Sequence, residues 1–258
     1  MTVTASMLDV QDLTHAYSAE HIVSKDISFS VKVGEIVCIV GPSGCGKTTL
    51  LKALAGLLKP SGGTVRFQGD IVQGVPDGLA MVFQEYGRSL LPWLNVLDNV
   101  TLPLKYTKTS PEERTRRVEE SLSAVGLSGF GSRYPWQLSG GMQQRVAIAR
   151  ALAYQPKLLL MDEPFASVDA QTRSDLEDLV ASVRDQFGIT VIVVTHDIDE
   201  AVYLSDRVIV LSRPPSTVMA QVEINIQRPR DQVATKVTPS FVEKRALIAQ
   251  MIRKPTAA

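Results

Sequence analysis

The chain has 258 residues, 45% of them hydrophobic, enough to bury a sizeable core as one large domain or two small ones. Its 27 lysines and arginines balance its 27 aspartates and glutamates, so its charge suggests neither wrapping of nucleic acid nor adhesion to anionic lipid. No apolar run approaches the roughly 18 residues that span a bilayer, the first ten residues lack the basic and apolar parts of a signal peptide, and two cysteines make no disulfide framework; the expectation is a protein of the cytosol.

Residues 8–33 read as short strands and turns: 8–10, 13–17 and 27–31, the last alternating with Ile27, Phe29 and Val31 on one face. Tyr17 is either a core or edge-strand aromatic or a ring that stacks on an adenine base, and spacing does not choose between them. The apolar, β-branched run Ile36-Val37-Cys38-Ile39-Val40 predicts a buried parallel strand. Gly41-Pro42-Ser43-Gly44-Cys45-Gly46-Lys47-Thr48-Thr49 follows, and residues 50–58 have leucines at helical spacing. Strand, glycine-rich turn and helix in that order make a phosphate cradle. Its glycines let successive N–H groups face phosphate oxygens and the helix N-terminus adds its dipole, while Lys47 would reach the β- and γ-phosphates and Thr48 would ligate Mg²⁺. Cys45 is expected to be simply a small residue that fits the loop.

After a turn at Pro60-Ser61-Gly62-Gly63, residues 64–67 predict a strand, Gly69-Asp70 a turn, and 80–83 a strand ending at Gln84. Residues 85–99 then carry Leu90, Leu91, Trp93, Leu94, Val96 and Leu97 beside Gly87 and Pro92. Such apolar material suits a core helix or a surface on which another protein docks; the motifs further on favour docking. A helix opens at Ser110 with Pro111, Glu112 and Glu113 in its first turn, buries Val118, Leu122 and Val125, and closes at Gly126.

Leu138-Ser139-Gly140-Gly141-Met142 leads into a second helix capped by Ser139, whose paired glycines offer another anion-binding helix end. Residues 157–161 form a continuous apolar run, hence a central strand, ending in Asp162 and Glu163. In a phosphate-loop NTPase the first carboxylate at such a strand end holds Mg²⁺, which assigns Asp162; Glu163, just beyond, is placed to orient or deprotonate a water. Ser167-Val168-Asp169-Ala170 precedes a helix over 171–187, with Leu176, Leu179, Val180 and Val183 on its buried face and Gly188 as its stop. A second β-branched strand over 189–195 ends at His196, at the strand end where such sheets meet ligands. Helix 198–204, strand 207–211, an edge strand over 218–226 and an amphipathic helix over 241–252 complete the chain.

Taken in order, the cradle at 41–49, Gln84, the Ser139-Gly140-Gly141 signature, Asp162-Glu163, Asp169 and His196 resemble the ATP-binding subunits of ABC transporters over nearly the whole chain, and the signature is the element most particular to them. The resemblance implies an α/β phosphate-loop NTPase cassette with a RecA-like core sheet, an N-terminal antiparallel β subdomain and a helical subdomain carrying the signature. It further implies one ATP-binding domain over 1–258: a core of about 1–84 and 157–230, a helical subdomain of about 85–156 and a helical tail of about 231–258. Two subunits would pair head to tail around two ATP molecules, each between the cradle of one and Ser139, Gly140 and Gly141 of the other. By the same resemblance Tyr17 would stack on adenine, Gln84 would join the Mg²⁺ shell and sense the γ-phosphate, Asp169 would link the two sites and His196 would contact the γ-phosphate. Glu163 would be the base for water attack, with Lys47 and Mg²⁺ spreading the charge. Met142 stands where many relatives carry glutamine, without affecting these roles.

The apolar segment 85–99 would then receive the transmembrane permease, placing the protein on the cytoplasmic face of the membrane, with a substrate-binding protein as an indirect partner and no nucleic acid. Leu90-Leu91-Pro92-Trp93, Asp98-Asn99-Val100 and Arg228-Pro229-Arg230-Asp231 look most like the nitrate, sulfonate and taurine importers. The rival reading is a soluble ABC ATPase acting on ribosomes or DNA; such proteins usually carry paired cassettes or a long coiled-coil insertion and a basic charge, and this sequence has none of these. The solute itself is not written in this chain, because the binding protein and the permease select it.

Overall fold

Ser6 opens the first strand in the computed structural model, which describes residues 6–18, 20–84, 89–166 and 168–253. Ser167 and residues 85–88 of the expected docking segment lie outside the described residues. The chain divides into two units, one running to Asp77 and resuming at Thr190, the other Gly78–Ile189. These breaks differ from the expected boundaries near 84 and 157, since the strands on either side of the helical part cluster with it.

The first unit begins with β1 (Ser6–Ser18), β2 (His21–Lys32), β3 (Ile36–Val40), α1 (Lys47–Leu54), β4 (Gly62–Phe67) and β5 (Asp70–Ile71). Where the sequence suggested three short strands, the structure has two long ones paired antiparallel. The polar interruption at Gln11-Asp12, which reads as a turn, is instead an irregularity in the register between Val10 and Leu13. Asp12 there takes a φ of 50° and its amide donates to Ser28 Oγ at 2.8 Å; Asp26 opposite, at a φ of 52°, donates to Thr14 Oγ1 at 3.1 Å. Local side-chain acceptors thus let the strand continue past a kink. β4 pairs with β1, giving an antiparallel sheet of order β2-β1-β4-β5.

The second unit holds β6 (Leu79–Val82), α2 (Val96–Thr101), α3 (Pro111–Ala124), α4 (Gly140–Ala153), β7 (Leu158–Asp162) and α5 (Ala170–Phe187). β6 and β7 run parallel, Val82 opposite Met161. Two helices start as the sequence predicts, Ser110 Oγ accepting from the Glu113 amide and Ser139 Oγ from that of Met142; Asp169 caps α5 by accepting from the Thr172 amide. Of the described part of 85–99, Leu90 and Val96 are core residues, whereas Trp93 and Leu97 are 70% and 44% exposed. Buried Asn99 secures the segment: its amide oxygen accepts from Leu91 N and its nitrogen donates to the carbonyls of Leu91, Leu94 and Asn95. The segment thus buries one face in the core and leaves apolar side chains exposed on the other.

The first unit resumes with β8 (Thr190–Val194), α6 (Ile198–Leu204), β9 (Arg207–Leu211), β10 (Val218–Glu223) and α7 (Pro239–Arg253). β3 lies parallel between β8 and β9, with Ile39 opposite both Val194 and Ile209, and β10 adds antiparallel to β9. Every residue of β3 and β8 is buried, which is why both read as unbroken apolar runs rather than alternating ones. Among the described residues no helix is long and apolar enough to cross a membrane.

Candidate functional site

In the first unit the cradle hangs between β3 and α1. Gly44 and Gly46 adopt φ of 76° and 89°, and a Cβ on Gly46 would lie 2.4 Å from Val23 Cγ1, so this turn admits only glycine at 46. At Gly44 a Cβ would meet no described atom within 4 Å, leaving its backbone open to an incoming ligand. The amide of Cys45 donates to Pro42 O at 3.2 Å, and that of Leu50 to Gly46 O at 2.8 Å. The N-cap of α1 is Gly46, and no described side chain caps that end; its leading N–H groups need an acceptor from elsewhere, and an anion provides one. Lys47 is buried, its Nζ donating to Gly41 O at 3.1 Å and Pro42 O at 3.3 Å. The ammonium thus already spans the loop, on neutral carbonyls that phosphate oxygens would outcompete. Cys45 is buried, and burial raises its thiol pKa, as befits a loop filler rather than a reactive thiol.

Tyr17, near the end of β1, is 66% exposed, and its hydroxyl lies 3.4 Å from Thr49 Oγ1 on the first turn of α1. The rings of His15 and His21 meet it edge-on. Tyr17 is therefore not a core aromatic, and its exposed ring stands beside the cradle. His196 is exposed just past the end of β8, the strand beside β3, so it emerges at the same sheet edge as the cradle. Its neighbours are fixed: the Thr195 hydroxyl donates to buried Glu200 and accepts from the Asp197 amide, while Asp197 Oδ1 caps α6 by accepting from Asp199 N and Glu200 N.

The second unit carries the carboxylates. Asp162 ends β7 and is 3% exposed. Glu163 follows with a φ of 43°, a left-handed conformation uncommon for a non-glycine residue, and its Oε2 accepts from Gln84 Nε2 at 3.2 Å. Gln84 and Glu163 leave the ends of neighbouring parallel strands, which the sequence separates by 79 positions. The Gln84 amide steers the carboxylate at the strand end, where a general base for an attacking water would have to stand. At the signature, Ser139 and Gly140 are exposed and Gly141 is buried. A Cβ on Gly141 would lie 2.4 Å from Thr172 Cγ2, so the second glycine is required where α4 meets the start of α5. Thr172 in turn serves Asp169, its amide and hydroxyl donating to the carboxylate at 3.0 and 2.7 Å and holding its pKa below the usual value. Thr172 carried no signal in the sequence; only the packing reveals that it joins the signature to Asp169.

Residues 24–166 match the ABC transporter family. The chain belongs to that family. Among its relatives, a taurine import ATP-binding protein of Pelagibacter ubique is 41% identical over 88% of this chain and 86% of its own length. A nitrate import ATP-binding protein of Synechocystis is 39% identical over 95% of each. An ATP-binding cassette solved as a dimer in a post-hydrolysis state, bound to ADP and Pi, is 35% identical and superposes with a TM-score of 0.74 over 86% of this chain and all of that one. The ABC cassette described here is accordingly an ATPase, and its antiparallel sheet, parallel strands and signature helix are those expected of the family.

Proposed function

We propose that this ABC ATPase powers the import of a small oxyanionic or organosulfur solute, and that Glu163 is its catalytic base. The Gln84–Glu163 hydrogen bond carries the mechanistic part of this reading, and the nitrate and taurine import relatives carry the solute class. The triphosphate would lie on the uncapped start of α1, in the backbone cradle of Gly41, Pro42, Ser43, Gly44, Cys45, Gly46, Lys47, Thr48 and Thr49, with Tyr17 against the base. Lys47 would exchange its carbonyl partners for the β- and γ-phosphate oxygens. Thr48, Gln84 and Asp162, all oxygen donors, suit Mg²⁺, which would neutralise charge building on the phosphates. Glu163 takes a proton from water as the water oxygen bonds to the γ-phosphorus and the bond to the ADP oxygen breaks; His196 steadies the transferred group. Ser139, Gly140 and Gly141 of a second copy would complete the phosphate shell, and Asp169 would link the two sites.

Exposed Trp93 and Leu97 mark the described part of the face on which a permease would dock, holding the protein at the cytoplasmic side of the membrane. The test pairs the wild type with Glu163→Gln. The expected result is slow hydrolysis by the wild type, none by the variant, and accumulation of the variant as an ATP-bound dimer. Normal hydrolysis by the variant removes Glu163 from the base role. Nitrate and taurine uptake by cells carrying either form tests the solute class, the expectation being that one of the two is lost with the variant.

A further inference from the structure

Residues 228–253 hold α6 at both of its ends. At its C-terminal end, Arg230 Nη1 donates to the carbonyls of Val202, Tyr203 and Ser205 at 3.2, 2.6 and 2.8 Å, and Arg228 Nη2 donates to Leu204 O at 2.6 Å. These are the carbonyls a helix end leaves without intrahelical partners. At the same end, the Tyr203 hydroxyl donates to Arg230 O at 3.1 Å and Lys236 Nζ sits 4.9 Å over the Tyr203 ring. At its first turn Arg245 of α7 pairs with Asp199 at 3.6 Å. Between the two helices runs a shallow groove of about 430 Å³ with His196 and Asp199 on one wall and Arg245, Ala246 and Ala249 on the other.

At its N-terminal end, α6 determines where His196 sits. Thr195 and Asp197, on either side of the histidine, are both bonded into the first turn of α6, through Glu200 and through the Asp197 cap. A seven-residue helix has little stiffness of its own, so its position is set by the packing of buried Ala201, Val202 and Leu204 together with the contacts at its two ends. We propose that the C-terminal segment is a brace for His196 and that Arg245 is a positioning residue for hydrolysis, acting through Asp199 and α6. The proposal rests on the reading of His196 as the γ-phosphate contact. It assigns to the tail a control over turnover that leaves ATP binding alone, since the cradle residues take no part in the brace.

Arg245 and Asp199 are each 44% exposed at their side chains, so substitutions there leave the core intact. Arg245→Glu should lower kcat about three- to tenfold with KM for ATP changed less than about twofold and with no loss of thermal stability. Arg245→Lys should retain wild-type turnover, and combining Arg245→Glu with Asp199→Arg should restore it. Hydrogen exchange at the amides of 197–204 should quicken in Arg245→Glu and return to normal in the charge-swapped pair. Wild-type kcat in Arg245→Glu, or a kcat loss that the swap does not recover, overturns the brace. His196→Ala is measured alongside: if it is inactive while Arg245→Glu is normal, only the brace falls. If His196→Ala turns over normally, the reading of His196 falls and takes the brace with it.

Discussion

Glu163 and Gly141 show how single backbone positions carry the chemistry. Glu163 sits at a φ of 43°, where a non-glycine side chain costs roughly 1–2 kcal/mol, and the strain aims its carboxylate at the Gln84 amide. Asparagine tolerates that conformation better, so Glu163→Asn is expected to abolish hydrolysis while leaving stability equal or raising it by up to about 1 kcal/mol; urea unfolding beside an ATPase assay reads both. At Gly141 the constraint is volume. Gly141→Ala places a methyl 2.4 Å from Thr172 Cγ2 and should cost about 1–3 kcal/mol. Thr172→Ser removes that methyl and keeps the hydroxyl that holds Asp169, so the double variant should recover most of the loss in a double-mutant cycle.

Among the elements, α3 and α6 are stabilised at their ends in different ways. α3 has Ser110 as cap, Pro111 in its first turn, and Glu113 hydrogen-bonded to Arg116 and Arg117, which lowers the Glu113 pKa from 4.5 to about 2. A depressed carboxyl contributes stability that is complete above its unfolded pKa and is lost as pH falls through its folded one. Glu113→Gln should therefore flatten the fall in melting temperature between pH 4.5 and about 2, and added salt should shrink the difference because the pair is exposed. α6 depends instead on Asp197, whose carboxylate accepts from two backbone amides. Asp197→Ala should cost about 0.5–2 kcal/mol, and Asp197→Asn much less, as chemical denaturation of the two variants would show.

At the scale of the molecule, nucleotide binding should couple to folding. A ligand present at 100 times its Kd stabilises the native state by about 2.7 kcal/mol. MgATP should accordingly raise the melting temperature of the wild type, while Lys47→Ala, which removes the ammonium resting on Gly41 O and Pro42 O, should lose most of that shift without losing its fold.

Elements defined by local chemistry were plain in the sequence: the cradle and its flanking strand and helix, the caps at Ser110 and Ser139, the helix 198–204, and the apolar strands ending at Asp162 and His196. Hydrophobic period, capping and turn residues act over a few positions, so a linear reading contains them. What the sequence by itself could not contain are contacts between segments far apart in the chain. The join of Val10 to Leu13 through a kink depends on Ser28 across the sheet, and the face that Trp93 exposes depends on Asn99 folding the segment beneath it. The Gln84–Glu163 bond, the Gly141–Thr172 contact and the grip of Arg228, Arg230 and Arg245 on α6 are of the same kind. Arginine in particular gives no periodic signal: in the sequence Arg230 contributes only to a resemblance, with no structural role attached. In the fold it is half-buried against five carbonyls, and burial with Arg228 nearby lowers its pKa to about 10. Sequence alone fixed which chemical groups stand at the strand ends; the tertiary structure decided which of them meet, because side-chain contacts between distant segments exist only once the backbone has brought them within bonding distance.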